Sequence, residues 1–377
     1  MSIRILADDL TGALDSAACF TGEAGALAVR WALPPPDAGS FALSTETRDL
    51  GREAAVQRVR EAAPALPGAA LMFKKVDSLL RGHVAAEVAA AMGAAGIDRA
   101  VLAPAFPQQR RVTRGGRQHV LAATGAETIA VDLGAELRAL GIAVTADPGD
   151  LARAGPLVWI ADAETDADLA RIVAQGRAAP GPPLWCGTAG LAAALAARPA
   201  AGARLPGGRV LAICGTDHPV ARAQVLAAAA THGPPIRLAP EAADAIARTL
   251  RERGAAMLAP ELPATSRAAA REAIGDALAR LLPAIAPPDV LIVMGGETLR
   301  QCCDALGAGG LSVEALVAPG IPQARMTGGA WADTPVVSKS GAFGEADTLL
   351  RLIALASRDG RRGDAGARES QNEGQCA

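Results

Sequence analysis

Residues 5–20 read ILADDLTGALDSAACF, from Ile5 to Phe20. An apolar run that ends in two adjacent carboxylates, Asp8 and Asp9, then passes through Thr11 and Gly12 into an alanine-rich stretch, reads as a strand handing over to a helix. The handover raises a question, because like charges repel and a glycine weakens the helix it opens. Successive strand side chains point to opposite faces, so one aspartate can meet a ligand while the other caps the helix. Gly12 lets the first turn approach a ligand closely.

The same layout recurs along the chain, which predicts parallel α/β layers rather than an antiparallel sandwich. Strands are expected at Ile3–Ala7, Phe41–Leu43, Ala70–Phe73, Ala100–Leu102 and Leu157–Ile160, with helices such as Arg52–Ala62 and Ser78–Met92 between them. The Pro- and Gly-rich segment Ala197–Gly208 has no periodicity and marks the main boundary. Three further strand, glycine turn and helix units begin at Arg209, Asp289 and Thr334. The expectation is a two-domain α/β protein, each domain carrying a mainly parallel sheet flanked by helices. The domains are residues 1–203 and 204–357, with a disordered polar tail at 358–377.

A chain of 377 residues, half of them hydrophobic, can bury two cores. Lys and Arg number 37 against 39 Asp and Glu, so no charge excess favours nucleic acid or an anionic membrane surface. Aromatic residues make up only 2%, too few for base-stacking platforms. The expected partners are small molecules, with no nucleic acid and no membrane, and a homodimer is left open. The N-terminus moves straight into a strand without a basic and apolar leader, and no window reaches 18 uninterrupted apolar residues, so a cytoplasmic location is expected. The six cysteines include no C-x-x-C pair and no His at metal-ligand spacing; they read as buried or incidental thiols, and no metal ligands are assigned.

In open parallel sheets ligands bind beyond the carboxyl ends of the strands. The first four strand candidates end in Asp8-Asp9, in Ser44–Arg48, in Lys74–Ser78 and in Pro104–Thr113. Such a set suits a small polyhydroxy acid: Arg48 or Lys75 can pair its carboxylate, while Asp8, Asp9 and Asp77 accept its hydroxyls. A carboxylate beside a hydroxyl can also remove or orient its proton, which makes Asp8 and Asp9 the catalytic candidates. Asp9 or Thr11 taken alone is no more than a common N-cap; four polar strand ends in one half-chain favour a site. Gln108–His119 reads either as part of that site or as a solvated basic loop.

In the second half, Gly215-Thr216, Gly295-Gly296-Glu297-Thr298 and Gly341–Gly344 stand at helix starts, where backbone N–H groups can cradle phosphates. No G-x-x-x-x-G-K-[ST] motif is present.

Taken together, ADDLTGALD (Ala7–Asp15), KKVDSLLRG (Lys74–Gly82), PAFPQQRRVT, WCGTAGLA (Trp185–Ala192), GGET, PGIP (Pro319–Pro322) and SKSGAFG (Ser338–Gly344) resemble the four-carbon acid sugar kinase family, in family order and over nearly the whole chain. The resemblance implies an N-terminal substrate domain and a C-terminal nucleotide domain. It also implies ATP and Mg²⁺ as cofactors and phosphorylation of the 4-hydroxyl of erythronate, threonate or 3-oxo-tetronate. Carried over by position, an aspartate of the Asp8-Asp9 pair, Arg48, Lys75, Val76, Asp77 and Ser78 would contact substrate. Gly215, Thr216, Gly295, Gly296, Glu297, Thr298 and Gly341 would contact the nucleotide. Two motifs depart from the family pattern: Asp217 and His218 replace small residues after Thr216, and SKSGAFG stands where the family has Thr-Lys-Pro-Gly-Gly-Phe-Gly.

Two rival readings remain at this level. One is a hydroxy-acid aldolase or isomerase that uses the first-half site without ATP. The other is a metabolite sensor whose altered Asp217-His218 loop no longer holds nucleotide productively. Release of ADP separates the kinase from both.

Overall fold

The computed structural model describes residues 2–33, 39–122, 125–261 and 266–357. The tail expected at 358–377, with Cys376, lies outside them. The chain divides into two compact units. The first comprises the described residues up to Ala201 together with Val313–Pro319, and the second comprises Gly202–Ser312 and the described residues from Gly320 onward.

Unit 1 holds strands β1 (Ile3–Ala7), β2 (Leu27–Arg30), β3 (Phe41–Ser44), β4 (Leu71–Lys75) and β5 (Arg99–Ala103), then β9 (Ala143–Thr145), β10 (Leu157–Ile160) and β11 (Leu184–Gly187). They form a parallel sheet in the order β2-β3-β1-β4-β11-β5-β10-β9. Helices α1 (Leu10–Cys19), α2 (Thr21–Ala24), α3 (Arg52–Ala62), α4 (Val84–Ala95), α5 (Leu133–Ala139), α6 (Asp166–Arg177) and α7 (Ala189–Leu195) connect them. The strands are continuous apolar runs because both faces are covered, with Leu6, Phe41, Leu43, Met72, Leu102, Val158 and Leu184 in one core. Each such side chain contributes roughly 1.5–3 kcal/mol on burial. The register aligns the carboxyl ends: Ala7 lies opposite Ser44 and Lys75, Lys75 opposite Gly187, and Gly187 opposite Ala103. Asp8, Thr45, Val76, Thr188 and Pro104 therefore all emerge at one edge.

Two local expectations are corrected. The helix expected from Ser78 begins at Val84. Asp77 is the reason: its Oδ2 accepts the N–H groups of Leu79 and Arg81, and Leu80 and Gly82 take positive φ values of 56° and 79°, which no α-helix admits. The basic segment around Gln108–His119 is a hairpin, not a solvated loop. β6 (Arg111–Arg114) and β7 (Arg117–Ala122) pair antiparallel, and β8 (Gly125–Thr128) completes a small sheet. Gly115 and Gly116 both have positive φ, as a two-residue hairpin turn requires, and their N–H groups donate to Asp162.

Unit 2 carries β12 (Val210–Cys214), β13 (Ile236–Arg237), β14 (Ala255–Ala259) and β15 (Val290–Met294). β16 (Gly310–Ala318) follows and crosses the division, and then come β17 (Ile321–Thr327) and β18 (Pro335–Lys339). The order β13-β14-β12-β15-β18 is parallel and β17 joins β18 antiparallel. Helices α8 (Pro219–His232), α9 (Ala243–Arg253), α10 (Arg267–Leu281), α11 (Gly296–Leu306) and one over residues 348–357 complete it. Cys214 lies opposite Met294, and Met294 opposite Lys339, so the three glycine turns start level with one another. Among the described residues no helix is long and apolar enough to cross a membrane.

Candidate active site

At the carboxyl edge of unit 1, one guanidinium gathers three aspartates. Arg48 Nε donates to Asp8 Oδ2 at 2.7 Å, its Nη1 and Nη2 hold Asp9 Oδ2 and Oδ1 at 2.5 and 2.7 Å, and Nη2 lies 3.5 Å from Asp77 Oδ1. The backbone sets this up, because Asp8 O accepts the N–H groups of both Thr47 and Arg48. Asp77 is held on its other side by Arg81, through Nε and Nη2 at 2.8 Å each.

Burial works to raise the Asp8 carboxyl, but Arg48, with Lys75 and Lys74 behind it, outweighs burial and holds Asp8 below the usual carboxylate range. Asp77 is likewise held low, burial being outweighed by Arg81 and Arg48. Burial opposes the charge on Arg48, yet Asp8, Asp9 and Asp77 keep it firmly protonated. Asp8 Oδ1 is buried and has no hydrogen-bond partner among the described residues.

The question posed by the Asp8-Asp9 pair now has an answer in atoms. Asp9 is the cap, accepting the Gly12 N–H at 2.8 Å, while Asp8 is the more deeply buried of the two. Gly12 makes room for the lysine: a Cβ there would lie 2.9 Å from Lys75 Nζ and 2.7 Å from Asp9 Oδ1. Lys75 is buried and donates to Val76 O at 2.9 Å, which leaves two of its N–H groups for other acceptors.

Val76 packs its side chain in the core and donates its N–H to Gly187 O, so it meets the edge only through its backbone. Ser78 is buried, and its carbonyl accepts Gln118 Nε2 at 3.1 Å. Gln118, buried in the hairpin, also donates to Pro104 O and accepts from Thr113 Oγ1. It ties the third and fourth strand ends together, a role that sequence reasoning missed. Lys74 points away to a buried ion pair with Glu87 at 2.7 Å. Asp15, on α1, is fully buried, its Oδ1 has no hydrogen-bond partner among the described residues, and burial pushes it up to about 7.

In unit 2 the glycine turns converge on two hydroxyls. A Cβ at Gly215 would lie 2.1 Å from Thr298 Oγ1, one at Gly341 2.7 Å from Thr216 Cγ2, and one at Gly295 3.3 Å from Thr298 Oγ1. Gly295 has φ 115° and opens α11 without a side-chain cap. Gly215, Thr216, Gly295, Gly296, Thr298 and Gly341 thus share one place. Glu297 is turned outward to Arg271 at 2.7 Å. His218 caps α8, its Nδ1 accepting the Val220 N–H, and Asp217 is exposed beside it. Gln224, buried on α8, donates to Phe343 O and Glu345 O and so pins the Gly341 turn. Among the described residues no three or more His, Cys, Asp or Glu side chains group as a metal cage.

Residues 3–132 match a family model described as a sugar-binding N-terminal domain, and residues 211–349 match one described as a nucleotide-binding C-terminal domain. The chain is 35% identical over 407 residues to the D-threonate kinase of Bordetella bronchiseptica, covering 95% of this chain and 98% of that one. It is 30% identical over 425 residues to the 3-oxo-tetronate kinase of Methylobacterium radiotolerans, covering 94% and 99%. A crystal structure of a Haemophilus influenzae protein shares the fold over 94% of this chain and 100% of that one, with a TM-score of 0.68 at 19% identity.

Proposed function

We propose that this chain, which belongs to the four-carbon acid sugar kinase family and is therefore an enzyme of the kinase class, transfers the γ-phosphoryl group of ATP to the 4-hydroxyl of threonate, erythronate or 3-oxo-tetronate. Unit 1 binds the acid and unit 2 the nucleotide. The observation that carries the reading is Asp8: a buried, ionised carboxylate with one oxygen fixed by Arg48 and the other without a partner. Such an oxygen is built to accept a hydroxyl. A carboxylate of low pKa orients the hydroxyl and takes its proton late, which suits a loose phosphoryl-transfer transition state that asks mainly for positioning.

Sequence reasoning offered Arg48 or Lys75 for the substrate carboxylate. Arg48 is engaged by three aspartates, so its work is to orient Asp8 and Asp9, and Lys75 is left with donors for the acid. The glycine cradle of unit 2 fits phosphates, because a Cβ at Gly215 or Gly341 would fill it. Mg²⁺ suits this donor set as an ion carried on the nucleotide's phosphates, where it neutralises charge; no protein cage is assigned to it. Work in the cytoplasm accords with the burial of Cys19, Cys186, Cys214 and Cys302 as thiols.

The test is ADP release with ATP and Mg²⁺ against D-threonate, D-erythronate and 3-oxo-tetronate. Turnover with at least one acid is expected, and none with any of them overturns the proposal.

A further inference from the structure

We infer that Lys339 is the cation that receives the nucleotide's phosphates in unit 2, an inference that rests on the kinase reading above. β18 ends on this residue, its side chain is fully buried, and its carbonyl accepts the Gly295 N–H at 3.0 Å. The lysine is thereby locked to the turn that opens α11. Its Nζ donates to Ser340 O at 2.8 Å, one residue before Gly341. The side chains nearest Gly215, Gly295 and Gly341 are those of Thr216 and Thr298, which carry no charge.

What distinguishes Lys339 is the missing counter-charge. Lys74 is matched by Glu87 at 2.7 Å and Arg48 by three aspartates, and Lys75, which makes no ion pair of its own, still lies in the field of Asp8, Asp15 and Asp77. Among the described residues no carboxylate pairs with Lys339. The titratable group beside it is the Cys214 thiol at the end of β12, itself pushed up by burial. A buried ammonium without an anion is costly, and burial draws Lys339 down to about 8. A purely structural role would be filled better by methionine, which has similar length and no charge to desolvate. Bound phosphates supply the absent charge, and a lysine at the base of a glycine cradle gives them a charge-assisted partner.

Calorimetry on the full chain separates the outcomes. Lys339→Met should weaken ADP and ATP binding roughly 10- to 100-fold while adenosine and D-threonate bind as in wild type. Unchanged ADP affinity in a folded Lys339→Met protein overturns the inference. If wild type itself binds neither ADP nor ATP, it is the kinase reading that falls, and this inference falls with it. Should Lys339→Met not fold, wild type at pH 8.5 decides. ADP binding measured in two buffers of different ionisation enthalpy should take up protons as the amine becomes charged, and binding without proton uptake overturns the inference.

Discussion

Arg48 Nε and Asp8 Oδ2 lie 2.7 Å apart across the ends of two adjacent parallel strands, and the same guanidinium holds Asp9 with its other edge. This one side chain makes three neighbouring carboxylates compatible. Removing it leaves buried negative charges unmatched, which costs roughly 3–5 kcal/mol. Arg48→Met should therefore lower the thermal midpoint strongly. Part of the loss should return on acidification toward pH 5, because the freed carboxylates can then protonate. Arg48→Lys should rescue only partly, since an ammonium cannot hold Asp9 through two parallel bonds. A midpoint that does not move in Arg48→Met would show the cluster to be energetically idle.

Asp8 and Asp9 should part company on mutation. Asn caps a helix as well as Asp does, so Asp9→Asn keeps the bond to Gly12 and loses mainly its charge pair with Arg48. Its effect should fall on stability. Asp8→Asn also loses a charge pair with Arg48, but it replaces the carboxylate whose second oxygen has no partner and should in addition cut kcat by roughly 10²-fold or more. Steady-state rates beside thermal melts give the comparison, and equal effects in the two variants would contradict it.

The glycine cradle makes a prediction about pairs of residues. A Cβ at Gly215 collides with Thr298, so Gly215→Ala should cost about 1–3 kcal/mol through overpacking. Adding Thr298→Ala should recover most of that, a positive coupling readable in a double-mutant cycle. Gly341→Val, pushed against Thr216, should raise the KM for ATP about tenfold or more while leaving binding of the acid alone unchanged.

Asp15 predicts a pH profile. Its folded carboxyl is raised to about 7 by burial, against about 4 in the unfolded chain. The folded state therefore binds the extra proton between those values. The Asp15 contribution is fully present below pH 4, declines as pH rises to 7, and is flat above, amounting to a few kcal/mol. Asp15→Asn should remove that decline and melt higher than wild type at pH 8. A wild-type curve no steeper than the Asn variant between pH 4 and 7 would count against it.

The site was legible wherever a polar residue directly followed an apolar run. Asp8, Lys75 and Asp77 declare themselves in this way, and register then brings them to one edge. Alternation said that Asp8 and Asp9 divide two tasks, but only the bond to Gly12 says which one caps. The helix start after Asp77 was misread because a local side-chain capture outcompeted an otherwise helical pattern. Gln118 and Gln224 gave no signal, since a buried amide that bridges distant carbonyls has no periodicity of its own. Lys339 ends an apolar strand as Lys75 does, and what sets it apart, a surrounding without the aspartates that face Lys75, shows only in three dimensions. The alternating apolar runs and helices made the mainly parallel α/β class plain from the start.

Leu80 sits at φ 56° in the turn that carries Asp77, Ser78 and Arg81, yet its side chain is buried. A left-handed backbone costs a leucine roughly 1 kcal/mol or more, and burying the side chain more than offsets it. Glycine would relax the backbone and forfeit the packing, while valine or isoleucine would pack but clash at Cβ. Evolutionary drift at this position is thereby confined to unbranched or γ-branched apolar residues such as leucine and methionine.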